Sequence, residues 1–146
     1  MVFAGQEVRV GDAFTSWTTY TPTFLNVTLG TGATVTGKWR RVADFMILLR
    51  FQLTLGTGGS VTGNLGVTIP GGLSGEGTLR QTLPVWAFDS SASGYYSGVA
   101  VLQNGGGPNF DRFGGPSNTV GWNGTTPFTW ASGDIIQGQG WVDVTT

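Results

Sequence analysis

Eight carboxylates, Glu7, Asp12, Asp44, Glu76, Asp89, Asp111, Asp134 and Asp143, are the main acid–base groups of this 146-residue chain, which has neither histidine nor cysteine. Without those two residue types there is no Ser–His or Cys–His nucleophile pair, no thiolate, and none of the commonest transition-metal ligand. The acids stand singly along the sequence. No two have the spacing of a calcium loop or a two-metal site, and a glycosidase would need two carboxyl groups brought about 5 to 9.5 Å apart by folding alone. The expectation is a protein that is not an enzyme, with no catalytic, cofactor-binding or metal-binding residues.

Other motifs that could carry chemistry are equally sparse. The glycine-rich segments Gly56–Gly59, Gly71–Gly75 and Gly105–Gly107 have neither the helix start nor the Lys-Ser/Thr pair of a phosphate cradle, and read as turns. Seven basic and eight acidic residues leave a net charge of −1, which provides no electrostatic footprint for nucleic acid or an anionic membrane. Arg40 and Arg41 are adjacent, but neighbours on a strand point to opposite faces. Asp111 and Arg112, between Phe110 and Phe113, read as a local ion pair. No apolar stretch approaches the roughly 20 residues of a membrane-crossing helix, and Met1–Ser16 lacks the basic start and apolar middle of a secretory signal. The chain therefore reads as made in the cytoplasm and soluble. Trp122, Phe128 and Trp130 cluster among Gly, Asn and Thr; such rings either plug the end of a β-sandwich or offer stacking surfaces to a glycan.

Positioning any such groups falls to strands. Charged residues make up 10% of the chain and 26 residues are glycine, with Thr, Val, Ser and aromatics prominent, which is strand-and-turn composition. Apolar runs alternate with glycine punctuation in the manner of a sandwich or barrel. Strands are expected near Thr23–Leu29, Thr34–Val42, Phe45–Leu55, Val61–Ile69, Thr82–Phe88, Tyr95–Gln103, Asn118–Trp122 and Ile135–Val144. An internal repeat, TLGTGATVTG at Thr28–Gly37 and TLGTGGSVTG at Thr54–Gly63, agrees at eight of ten positions. Read as two glycine turns with Ala43–Asp44 as a third, it predicts a four-stranded meander with both repeat loops at one end.

Two strands carry surplus apolar residues. In Phe45–Leu55 the odd positions, Phe45, Ile47, Leu49, Phe51, Leu53 and Leu55, should face the core. Met46 and Leu48 then make half of the opposite face apolar, to be covered by a second layer of the chain or by a neighbouring subunit. In Thr82–Phe88 both faces are apolar, with Trp86 and Phe88 on one of them, and Pro84 suggests a sheet edge. Met46, Leu48, Trp86 and Phe88 are the candidate subunit-interface residues.

The opening Trp17-Thr18-Thr19-Tyr20-Thr21-Pro22-Thr23, the turn Leu29-Gly30-Thr31-Gly32, the hairpin Gly37-Lys38-Trp39-Arg40-Arg41-Val42-Ala43-Asp44 and the closing Trp130-Ala131-Ser132-Gly133-Asp134 with Gly138 to Trp141 resemble a module of bacteriophage virion proteins, those of phages infecting actinobacteria in particular. Ala43 stands where the pattern has glycine. The leader Gly5-Gln6-Glu7-Val8-Arg9-Val10-Gly11-Asp12 is similar to the short arm preceding that module. The resemblance implies an antiparallel, jelly-roll-like β-sandwich at residues 17–146, a homotrimer on the virion surface, and an attachment arm at residues 1–16 gripping through Val8, Val10 and Phe14. It implies no catalytic residues. A brief arm without a coiled-coil stalk fits a capsid decoration subunit. The alternative is a tail-associated protein binding host cell-surface glycan, and the partners are accordingly capsid or tail proteins.

Overall fold

Short apolar runs interrupted by glycine cannot build a helix of useful length, and they fold as strands. The computed structural model describes residues 16–102, 105–115 and 121–145. Among them are β1 (Thr18–Tyr20), β2 (Phe24–Thr28), β3 (Thr34–Ala43), β4 (Met46–Thr54), β5 (Ser60–Thr68), β6 (Ser74–Gly75), β7 (Gln81–Asp89), β8 (Gly94–Leu102), β9 (Asn109–Phe110), β10 (Arg112–Gly114) and β11 (Ile135–Thr145), and no helix. Every strand pairing is antiparallel. A large sheet runs β1-β3-β4-β11-β7-β8-β10, with β6 also paired to β11, and a small sheet runs β2-β5-β9. The protein is an all-β antiparallel sandwich.

The internal repeat does not build the expected meander. β2 and β3 belong to different sheets, as do β4 and β5. Thr28 pairs with Ser60, Thr31 with Thr57 and Thr34 with Thr54, all in one register. Residues 24–43 and 46–68 therefore form one antiparallel ribbon that leaves the small sheet, bends, and enters the large one. The two LGTG segments are its corners, lying side by side at one end as the repeat suggested. Thr31 and Thr57 exchange two backbone hydrogen bonds of 2.9 Å, so pairing survives the bend. A ribbon that passes between sheets in this way is the generating element of a jelly roll.

Other expectations are corrected by local geometry. β3 and β4 do turn at Ala43–Asp44, with the Arg41 guanidinium donating to the Asp44 carbonyl. Phe45, however, lies in that turn and is 65% exposed, because it precedes the pleat that buries the other odd residues. Pro84 is not at an edge, since β7 lies between β11 and β8. The β11 ladder to β7 stops at Gly138–Val85, so no donor is demanded of Pro84. Gly140 leaves room for the proline ring; a Cβ there would meet Pro84 Cδ at 3.3 Å. Of the expected strand Asn118–Trp122, residues 118–120 lie outside the described residues, and Gly121 and Trp122 lie in a loop.

The core lies between the sheets. Ile47, Leu49, Phe51 and Leu53 on β4, Leu83, Val85 and Ala87 on β7, and Ile136, Val142 and Val144 on β11 are all buried, each large side chain contributing about 1.5 to 3 kcal/mol by leaving water. Rings run through it in sequence: Phe24 to Phe51 at 5.8 Å, Phe51 to Phe113 at 6.0 Å, Phe113 to Trp122 at 6.3 Å, Trp122 to Trp130 at 6.3 Å and Trp130 to Phe128 at 4.4 Å. Strand glycines make room for them. A Cβ at Gly37 would lie 2.5 Å from the Tyr20 ring, at Gly138 2.4 Å from Phe51, and at Gly98 2.7 Å from Trp122. Each of these glycines is roofed by an aromatic, which restores the packing a side chain would have supplied.

Candidate functional site

The face of the large sheet turned away from the core is the site that this fold presents. Its side chains lie in rows across the strands, because paired residues point to the same side. One row is Thr34, Thr54, Ile135, Phe88 and Tyr95; the next is Thr36, Gln52, Gln137, Trp86 and Ser97. The third holds Lys38, Arg50 and Gln139, and the fourth Arg40, Leu48 and Trp141. Met46 follows, opposite Asp143.

This arrangement makes two apolar islands. In one, Tyr95 is 74% exposed and lies 4.8 Å from Phe88 and 5.8 Å from Trp86, with half-buried Ile135 alongside. In the other, Leu48 and Met46 are half-buried beside Trp141, which is 55% exposed. Six residues of β4 separate the rows of Leu48 and Thr54, or about 20 Å. Between the islands lies a polar furrow of about 280 Å³, which Lys38, Arg50, Gln52, Gln137 and Gln139 help to line. Trp17 lies at the rim, its ring centroid 3.9 Å from the Arg50 guanidinium and 5.0 Å from that of Arg40, within cation–π range.

All four residues expected at an interface, Met46, Leu48, Trp86 and Phe88, are on this face, divided between the two islands. Trp122, Phe128 and Trp130 are 1%, 8% and 5% exposed, and as glycan contacts they are corrected: a sugar stacks on an open ring face, and these rings are covered by the core. The Trp130 indole N–H is also engaged, donating to the Asn123 carbonyl at 2.8 Å. Val8, Val10 and Phe14 lie outside the described residues.

Sequence reasoning missed Tyr95, Ile135, Gln137, Gln139 and Trp141. The signal was present as alternation in β11, where Ile135, Gln137, Gln139 and Trp141 face out. The strand Ile135–Val144 was expected, but glycines at 138 and 140 leave its inner side without the apolar residues that would have told the two faces apart.

Three of the acids, Asp89, Glu76 and Asp134, serve local structure. The Asp89 carboxylate accepts from the Ser91 hydroxyl at 2.7 Å and from the Ser91 and Ala92 N–H groups at 2.9 and 3.1 Å. The Ser91 hydroxyl above all, with those N–H groups, holds it below the ordinary carboxylate range despite desolvation. Glu76 is lowered in the same way, chiefly by the Thr78 hydroxyl and N–H. Asp134 is 1% exposed and accepts from the Ser90 N–H and hydroxyl, both at 2.9 Å, and from the Ala131 N–H at 2.6 Å. Among the described residues no three of His, Cys, Asp and Glu gather where they could hold a metal ion, and no helix is long and apolar enough to cross a membrane. Set against protein-family models, curated proteins and solved structures, the chain matches none.

Proposed function

We propose that this protein is a structural subunit of a bacteriophage virion surface, a homotrimer that decorates and stabilises the capsid. The observation that carries the reading is the outer face of the large sheet, where Met46, Leu48, Trp86 and Phe88 are half-buried and Tyr95 and Trp141 are 74% and 55% exposed. Apolar islands on a rigid sheet suit docking to other protein surfaces. The residues that resemble phage virion modules support it as well: Trp17 to Thr23 includes β1, and Gly37 to Asp44 lies in the β3–β4 hairpin that frames this face. The reading assigns no catalytic role to any residue. Val8, Val10 and Phe14 supply the second grip, on neighbouring shell proteins. A subunit that binds only the assembled shell stabilises it by mass action.

The test compares virions with and without the protein in a thermal genome-release assay. Particles lacking it should open at lower temperature, and adding it back should restore the midpoint. Unchanged release with lost adsorption to host cells overturns the reading in favour of a tail-associated, glycan-binding protein, the alternative that the polar furrow favours.

A further inference from the structure

The furrow between the islands lies on β3, β4 and β11, and each of these strands already has a partner on both sides. None of the three is an edge strand, so a ligand is read by side chains and not by strand addition. Those side chains form a small array. Gln52 lies directly opposite both Thr36 and Gln137, and Arg50 directly opposite both Lys38 and Gln139. The amides of Gln52, Gln137 and Gln139 make no hydrogen bond to any described residue, and among the described residues no carboxylate pairs with Lys38 or Arg50. Like charges directly opposite one another on a sheet repel, a cost that an anion placed between them removes. The Trp17 ring lies 3.9 Å from the guanidinium of Arg50, a cation–π contact to a group that carries five N–H donors. At the end of the amide row stands Trp86, paired with Gln137.

We propose that this furrow binds an anionic glycan. Its carboxylate or phosphate sits between Lys38 and Arg50, ring hydroxyls are met by Gln52, Gln137 and Gln139, and one sugar face lies against Trp86. Primary amides offer a donor and an acceptor side by side, which matches a pair of neighbouring hydroxyls. An acidic peptide lacks vicinal hydroxyls and would have to meet these amides with its own backbone N–H and C=O groups, the competing occupant that the oligoglutamate titration tests. The proposal is independent of the capsid reading, because it is tested on the isolated protein.

The experiment is calorimetric titration of the full chain with an oligogalacturonate, a phosphomannan oligosaccharide, maltohexaose and an oligoglutamate peptide; the first two distinguish a carboxylate from a phosphate source. Saturable binding to at least one anionic saccharide is expected, stronger than to maltohexaose. Gln137→Ala with Gln139→Ala should weaken it roughly tenfold. Arg50→Gln, and separately Lys38→Gln, should reduce it to the level of the neutral sugar, with every variant keeping the wild-type melting temperature. Absence of saturable binding to both anionic saccharides at millimolar concentration overturns the proposal. So does equal affinity for oligoglutamate, or undiminished binding by folded variants.

Discussion

The two LGTG corners carry the same four residues and bend the same ribbon, yet their surroundings differ. In the second, Leu55 is 2% exposed, its N–H donates to the Asp134 carbonyl at 2.9 Å and its carbonyl accepts from the Gly133 N–H at 2.8 Å. In the first, Leu29 is 40% exposed. The glycines diverge as well. Gly32 and Gly58 occupy equivalent places with φ of 78° and 77°, but Gly30 has φ of 82° while its counterpart Gly56 is not left-handed. The last glycine of each copy has a different cover: Gly37 is roofed by the Tyr20 ring and Gly63 by the Asn26 side chain. Identical residues thus specify the turn, and the neighbouring strands decide how much each residue contributes.

Truncating the leucines tests this most severely. Leu55→Ala should cost about 3 kcal/mol, as cavity-forming substitutions in a core do, and Leu29→Ala less than about 1 kcal/mol; equal losses in urea unfolding would break the comparison. Next come the inner glycines. A Cβ at Gly56 would lie 2.3 Å from the Thr31 carbonyl oxygen and one at Gly30 2.5 Å from the Gly59 nitrogen, backbone in both cases. Each alanine variant should lose roughly 2 kcal/mol, Gly30→Ala the more because its left-handed φ adds its own penalty. Gly32→Ala and Gly58→Ala meet no atom within 4 Å, so only the backbone conformation is penalised. Both should lose about 1 kcal/mol and agree within a few tenths; a clear difference between them would show that their environments matter after all.

The smallest effect is one of pH. Burial pushes the Tyr20 phenol above its ordinary value, so the folded state keeps its proton where the unfolded chain releases it. Stability from this group is complete below about pH 10 and declines as the pH rises, by about 0.4 kcal/mol at pH 10 itself. Tyr20→Phe should remove that part of the alkaline slope. In hydrogen exchange, amides near Gly37 should loosen before those near Gly63, and simultaneous loosening would argue against separate roofs.

Strand positions were legible because period-two alternation survives wherever both faces carry side chains, as in Ile47 to Leu53. It did not tell one face from the other where glycine faces the core. Gly37, Gly98 and Gly138 fell within expected strands but carry no apolar marker of the inner face until the rings above them are placed, and those rings come from distant segments. Half of the candidate site was hidden for that reason, with Gln137, Gln139 and Trp141 interleaved among such glycines. The other half, Met46, Leu48, Trp86 and Phe88, was visible as apolar residues on the wrong side of otherwise readable strands. Trp122, Phe128 and Trp130 suit a sugar platform and a core plug equally by composition, and only burial separates the two. Nor does a glycine turn announce whether the chain reverses within a sheet or crosses to another. Two near-identical corners were the available clue, since a ribbon must bend both of its strands together.

The place of β11 has a consequence for biosynthesis. It is the last described strand along the chain and the middle one in the large sheet, paired with β4 over nine residue pairs and with β7 over four. A chain emerging from the ribosome therefore completes the bent ribbon and the β7–β8 hairpin while each still has an open edge facing the gap that β11 will fill. Until then both halves can accept an extended segment from another copy, the exposure that leads to strand exchange and aggregation. Insertion of β11 closes two edges at once.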